Sequence, residues 1–185
     1  MVEPFFVDFD LKPAKVITLT GAEAKHAITV RRMRIGEAIT VTNGQGLRLR
    51  GRVKSLDKYS LEIQVDETIQ EQLPAIRFTL VQALAKGDRD ELAIQAATEL
   101  GVAAIIPWAA QRSVSRWEGS KKQTGKDRWQ QIVIEASKQS MRTFIPEVRD
   151  VTESANLAKS LASFDLVIVL DPQGKTNLAS IDCQN

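Results

Sequence analysis

The sequence predicts an α/β protein built as an N-terminal β-barrel followed by a layered α/β domain. Two observations carry this. In the first third of the 185 residues, short segments of period two surround a single helical stretch. After Pro74, strand and helix patterns alternate, as they do where helices cover a mainly parallel sheet. The stretch from Asp66 to Pro74 is polar and loses its period. It sets the boundary between a first domain, 1–72, and a second, 73–185.

In the first domain, Phe5–Val7, Val16–Leu19 and Ala38–Thr42 read as strands. Asn43-Gly44-Gln45-Gly46 is a turn signal, and Leu47–Val53 after it alternates apolar and basic residues. Leu61–Val65 alternates likewise. Thr20 and Glu23 have the spacing of a capping box, opening a helix that runs to Arg32 or Met33. Several short strands around one helix suggest a small barrel.

In the second domain, Ile76–Leu84 reads as a strand. A helix capped at Asp88 runs to Leu100 and stops at Gly101. Ala103–Pro107 is a buried strand, and Trp108–Gly125 a long connection. Asp127–Ser140 is helical, with Ile132, Val133 and Ala136 on one face. A helix capped by Thr152 covers Val151–Ala162. The all-apolar run Leu166–Leu170 suits a central parallel strand covered on both faces.

Composition narrows the chemistry. With one histidine, His26, and one cysteine, Cys183, no Cys/His metal site can be assembled within one chain. No metal is expected. There is no disulfide framework, no Walker A lysine loop and no Gly-x-Gly-x-x-Gly. A Ser-His-Asp or Cys-His arrangement would have to use His26, which lies in a basic, helix-like segment away from any nucleophile elbow. Apolar stretches are too short to span a bilayer, and no basic region precedes an apolar core at the N-terminus. A reducing cytoplasm is the expected compartment.

The net charge is only +2. Residues 21–58 nevertheless hold nine basic and three acidic side chains, and residues 112–142 eight against three. Two basic zones in a nearly neutral chain point to local contact with a polyanion, against the competing account of ordinary solvated surface.

A run of motifs then supplies a resemblance. Lys86-Gly87-Asp88-Arg89-Asp90-Glu91-Leu92-Ala93-Ile94-Gln95 is followed by Thr98-Glu99-Leu100-Gly101-Val102, Pro107 and Arg112-Ser113-Val114. Arg128-Trp129-Gln130-Gln131-Ile132, Glu135-Ala136-Ser137-Lys138-Gln139-Ser140, Arg142 and Ile145-Pro146 continue the order. Near the start, Val30-Arg31-Arg32-Met33-Arg34-Ile35-Gly36 fits as well, with Arg31 where leucine is common. In this order the motifs resemble the ribosomal RNA small subunit methyltransferase E family.

The resemblance implies methylation of N3 of a uridine in 16S rRNA of the small ribosomal subunit, with S-adenosyl-L-methionine as cofactor. It also implies a PUA-like barrel, a SPOUT methyltransferase domain with a trefoil knot, and a homodimer. One departure bears on this. The family continues past the strand equivalent to Leu166–Leu170 with a Gly-Pro-Glu-Gly-Gly loop and a later Ile-Leu-Arg-x-Glu-Thr-Ala run, neither of which occurs here. The expectation is an incomplete knot and cofactor site, and a chain inactive by itself. A non-catalytic RNA-binding module is the alternative reading.

Site residues follow. Arg31, Arg32 and Arg34 are candidate phosphate clamps, since guanidinium forks match phosphate oxygens. Structural packing is the other account. His26 is a further RNA candidate, the other account being partial burial or plain helix surface. The stripe Arg48, Arg50, Arg52 faces RNA or protects a solvated edge. Lys86 and Arg89 sit where a strand leads into a helix, the ligand side of an open α/β sheet, and are expected on RNA. Arg128, Glu135, Gln139 and Arg142 share one polar helix face by spacing. Arg128 is assigned to RNA; Glu135, Gln139 and Arg142 join Arg112 as the catalytic set. Gln139 and Arg142 would read the base or stabilise charge developing on it, with Arg112 as another cation for that charge; the alternative is an intrahelical ion network of Glu135 with Lys138 or Gln139. Leu170, Asp171 and Pro172 lie where the family's cofactor pocket begins. No side chain stands out as a base, and solvent can take the N3 proton.

Overall fold

The computed structural model describes residues 3–181, so Cys183 lies outside the described residues. The first domain is a curled five-stranded sheet of β1 (Phe5–Val7), β2 (Val16–Leu19), β3 (Ala38–Thr42), β4 (Leu47–Leu56) and β5 (Leu61–Gln70). Its order is β1-β3-β4-β5-β2, with β1 and β3 parallel and the other pairs antiparallel. The alternation in β4 works as expected: Leu47, Leu49 and Val53 point inward onto Phe6, Leu19, Ile39, Val41, Leu61 and Ile63. Each such side chain contributes about 1.5–3 kcal/mol by leaving water. The register between β4 and β5 slips at Arg50/Gly51 and again at Val53/Ser55. Bulges of this kind bend and twist a long hairpin, and here they curl the sheet around its core.

Two expectations for this domain change. Residues 66–70, anticipated as irregular, continue β5, because β4 offers them a ladder from Arg50↔Glu67 to Leu47↔Gln70. A polar strand with exposed side chains leaves no hydrophobic period to read. The capping box does not form either. Thr20 precedes α1 (Gly21–Lys25) without a side-chain hydrogen bond, and the helix runs directly into a π-helical turn, His26–Val30. Glu23 turns instead toward Lys138 of the second domain.

The second domain has a parallel sheet with β7 (Ala104–Ala109) at its centre. β6 (Thr79–Ala83) lies on one side; β8 (Glu147–Val148) and β9 (Thr152–Glu153) follow one another along the other. Around the sheet stand α2 (Arg89–Leu100), α3 (Lys121–Gln139) and α4 (Ser154–Leu161). Leu84, Ile94, Val102, Ile105, Trp129, Val133 and Val148 form the core. Gly101 ends α2 at φ 99°, the left-handed geometry expected of it.

Three further expectations are corrected. α3 starts at Lys121 rather than Asp127 and takes Gly125 inside the helix, where the ring of Trp117 lies against it. α4 starts at Ser154 rather than Val151, because Thr152 and Glu153 pair with Trp108 and Ala109. Leu166–Leu170 is not a strand, and its residues are 41–84% exposed. Apolar content alone does not make a strand; the backbone needs a neighbour's ladder, and among the described residues none pairs with this run.

The domains meet at a joint that the sequence does not announce. The Asn43–Gly46 turn packs against Thr143–Ile145 instead of standing in solvent. Gly46 N donates to Thr143 O at 3.0 Å, Ile145 N to Gly44 O at 3.0 Å, and Gln45 forms an antiparallel bridge with Phe144. Gly46, at φ 92°, lies so close to Phe144 that a Cβ would collide with the ring. Nearby, Thr143 hydrogen-bonds Glu71, and Glu71 pairs with Arg48 at 3.4 Å. A second tie is ionic. Lys138 of α3, 5% exposed, reaches Glu23 of α1 at 2.8 Å and Glu135 at 3.2 Å. Removing one partner of a buried pair strands the other charge. Lys138→Met is therefore expected to cost about 3 kcal/mol in urea denaturation. Adding Glu23→Gln to that variant should recover more than half of the loss, and a double variant no more stable than Lys138→Met would dissolve the pair.

Candidate nucleic-acid interface

The basic residues of the barrel separate into two groups once their partners are known. Every cation of the strand stripe is answered by a carboxylate: Arg48 by Glu71, Arg50 by Glu3, Arg52 by Asp66 and Lys54 by Glu62. The stripe is a neutralised outer face of the sheet. Glu3 shows the balance. Burial pushes its carboxyl up, but hydrogen bonds from Arg50 and Thr40 and the charges of Arg50 and Arg48 outweigh this and hold it below the usual carboxylate range. A depressed value stabilises the fold above the unfolded-state pKa and ceases to as pH falls through the folded one. The stability difference between the parent chain and Glu3→Gln should thus be full at neutral pH and vanish in acid, as followed by thermal melts across pH 2–7.

Arg31, Arg32 and Arg34 behave differently. All three are exposed, and their guanidinium groups make no ion pair or hydrogen bond among the described residues. They follow the π-helical turn in a loop whose backbone is held at both ends. Arg31 N donates to His26 O at 2.9 Å, Arg34 N to Glu37 Oε2 at 3.1 Å, and Gly36 N to Val53 O at 2.8 Å. Arg32 adopts φ 52°, a conformation few non-glycine residues take. The loop offers three unneutralised forks on a fixed backbone, which is what phosphate contact requires. His26 does not join them: it is half-buried, edge-on to Phe6 at 5.8 Å between ring centres.

A second set of free cations stands at the C-terminal edge of the parallel sheet. Lys86 and Arg89 leave β6, Arg112 leaves β7, and all three are exposed without an ion pair among the described residues. Ser113 Oγ donates to Leu84 O at 2.6 Å and ties the two loops together. Asp90, which sequence reasoning passed over, orders this edge. Its buried carboxylate accepts from Ala85 N at 3.1 Å and Glu91 N at 2.9 Å, whereas Asp88, the expected cap, makes no side-chain cap bond.

The predicted α3 face is only partly assembled. Glu135 and Gln139 line a cleft of about 260 Å³ with Gln95, Gln131, Ile132 and Ala136. Arg112 is not among its lining residues. Arg128 is committed to Glu91 in a two-pronged pair, Nε–Oε1 2.6 Å and Nη2–Oε2 2.9 Å, which fastens α3 to α2. Arg142 donates from Nε and Nη2 to the carbonyl of Glu99 at 3.1 and 2.7 Å, closing the C-terminus of α2. A cation on terminal carbonyls is favoured by the helix dipole. Arg142→Ala should lower stability by about 1.5 kcal/mol while leaving RNA affinity unchanged, in urea denaturation and RNA titration.

Comparison with known proteins decides the family. The RNA methyltransferase PUA domain family matches residues 19–66, and the RNA methyltransferase domain family residues 71–185. The Mycobacterium bovis ribosomal RNA small subunit methyltransferase E is 34% identical over 183 residues, covering 96% of this chain and 69% of that protein. The chain belongs to the ribosomal RNA small subunit methyltransferase E family. A Bacillus subtilis methyltransferase E is 32% identical over 173 residues, covering 91% of this chain and 67% of its own length. The Neisseria gonorrhoeae methyltransferase E, solved bound to S-adenosyl methionine, superposes with a TM-score of 0.82 at 26% identity, covering 98% of this chain and 76% of that one. A crystal structure described as a hypothetical protein matches at 33% identity with a TM-score of 0.75, covering 82% of this chain and 63% of that one. The chain thus spans about two thirds of the length of several of these relatives. Its two domains are the family's PUA-like and SPOUT methyltransferase domains.

For a methyltransferase E, the expected cofactor residues are poorly placed. Adenosylmethionine needs a pocket that encloses most of its surface. Leu170, Asp171 and Pro172 are exposed and lie in a stretch without regular structure. They do not line the larger cavity, about 450 Å³, which sits between the end of β7, Trp117 and the start of α4. At that predicted position the described residues do not fit the cofactor.

Proposed function

We propose that this chain acts in S-adenosylmethionine-dependent methylation of N3 of a uridine in 16S rRNA, as a cytoplasmic homodimer. In this reading the Arg31–Arg34 loop grips the RNA, and the parallel-sheet edge around Lys86, Arg89 and Arg112 receives the strand bearing the target. The observation that carries the RNA part is the sorting of cations. Among the described residues, the three loop arginines lack the carboxylate partners that neutralise the neighbouring stripe. Family membership supports methyl transfer to ribosomal RNA.

The chemistry of the base assigns a role to Arg112. Methylation at N3 requires loss of the N3 proton, and negative charge then grows on the flanking carbonyl oxygens. A free guanidinium stabilises that charge, and a group already paired does so less well. Among the described residues Arg112 has no ion pair, whereas Arg142 is held on Glu99. Glu135 and Gln139, in the α2–α3 cleft, serve to position RNA. The proton passes to solvent.

Two experiments test the reading. Neutralising the loop with Arg32→Gln and Arg34→Gln should weaken binding to a 16S rRNA fragment. It should also reduce the slope of log affinity against log salt by about 0.7–0.9 for each phosphate that is no longer neutralised. Arg50→Gln with Arg52→Gln should leave that slope unchanged; equal effects from both pairs would return the loop to ordinary surface. For the activity, nucleoside mass spectrometry of 16S rRNA from a strain lacking the gene should show loss of one N3-methyluridine. An unaltered methylation pattern would refute the assignment.

A further inference from the structure

We propose that Tyr59 is a stacking platform for an unpaired RNA base, set on the barrel rim that carries the free arginines. The proposal rests on the RNA reading above and specifies the RNA as single-stranded or looped rather than fully paired.

Tyr59 is the single tyrosine of the chain and is 70% exposed. It sits at the tip of the β4–β5 hairpin, packed into neither core. The tip is ordered by its backbone: Asp57 N donates to Ser60 O at 2.9 Å, and Lys58 N to Asp57 Oδ1 at 2.7 Å. The ring is therefore presented by a closed turn at the end of two ten-residue strands. Lys58 Nζ lies over one face of the ring, 5.0 Å from its centre, so stacking would use the opposite face.

Strand register places this tip with the arginine loop. Gly36 N donates to Val53 O at 2.8 Å, and Arg52 Nη1 to Gly36 O at 3.2 Å, so the loop that follows Arg34 runs beside the last residues of β4. Leu56 and Leu19 both pair with Leu61, which brings the start of α1 to the same rim. The other end of β4, at Leu47, follows the turn that is buried in the domain joint. The turn before Leu47 and Glu23 of α1 dock onto the second domain, while three arginines without an ion pair among the described residues, Lys58 and Tyr59 lie toward the other end of β4. Val30 and Ile35, 69% and 68% exposed, lie in the same loop region.

Cations alone would suit any nucleic acid. An exposed ring and aliphatic side chains among them are useful only where bases are unstacked, because an A-form duplex hides base faces and offers phosphates and 2′-hydroxyls. Aromatic stacking tolerates any base and accompanies a positively charged surface that tracks the backbone. Those two components are present here, so the occupant is RNA with splayed bases.

The single tyrosine makes the test direct. The 185-residue chain grown with 3-fluorotyrosine has one fluorine resonance. It is titrated with an RNA stem-loop carrying an unpaired uridine loop, and with the blunt duplex of the same stem. The resonance should move with the stem-loop and stay with the duplex. Tyr59→Ala should weaken stem-loop binding about tenfold, with duplex affinity unchanged and Tyr59→Phe retaining most of the affinity. If the resonance is still and Tyr59→Ala binds normally while Arg32→Gln with Arg34→Gln weakens binding, the stacking proposal is overturned and the RNA reading stands. If the parent chain binds neither RNA, both fall, and the rim belongs to another class of partner.

Discussion

A lysine ammonium with only 5% of its side chain exposed survives in a folded protein when carboxylates and hydrogen bonds replace the water it has lost. Lys138 meets that demand by drawing Glu23 from the barrel and Glu135 from its own helix. The requirement crosses the boundary between domains, because one of its two carboxylates comes from the barrel. It also explains why Glu23 does not return to cap its own helix. Together with the docked turn at Gly44–Gly46, this ion cluster fixes which barrel face is covered and which remains available.

From that orientation follows a sorting of charge. A count of basic residues treats Arg31, Arg32 and Arg34 like Arg48, Arg50 and Arg52. The fold does not. Glu71, Glu3 and Asp66 neutralise the stripe, while Glu37 beside the loop is turned to the Arg34 backbone N–H and pairs with no guanidinium among the described residues. Two arginine triplets of similar composition thus present different fields to a polyanion, and only the unneutralised one is suited to replace counterions on phosphate.

Much of the architecture was legible where burial is one-sided. The Leu47, Leu49 and Val53 alternation and the Gly101 stop needed only local rules, and the structure follows them. Failures came where long-range pairing decides. The polar end of β5 is a strand because β4 supplies its ladder, and Leu166–Leu170 is not one although its composition is more favourable. Residue type singled out Arg31, Arg32, Arg34, Lys86, Arg89 and Arg112 as candidates, and the fold leaves all six exposed. Residue type could not foresee that Arg128 and Arg142 are tied to α2, nor that Asp90 orders the sheet edge, because their partners are set by helix packing. Lys138 lay in the quoted motif, but nothing in sequence joins it to a glutamate 115 residues earlier.

The joint has a bearing on how the chain acquires its structure. Its contacts span long separations, 101 residues from Thr42 to Thr143 and 115 from Glu23 to Lys138. Such contacts close late, because the entropy of bringing distant segments together must be met before they stabilise anything. On the ribosome, at roughly 5–20 residues per second, the barrel's last strand is made about 4–15 s before Thr143. Throughout that interval the Gly44–Gly46 turn has no Phe144 or Ile145 to rest against. The barrel can fold around its own core, but its direction relative to the second domain is settled only when the far end of α3 arrives.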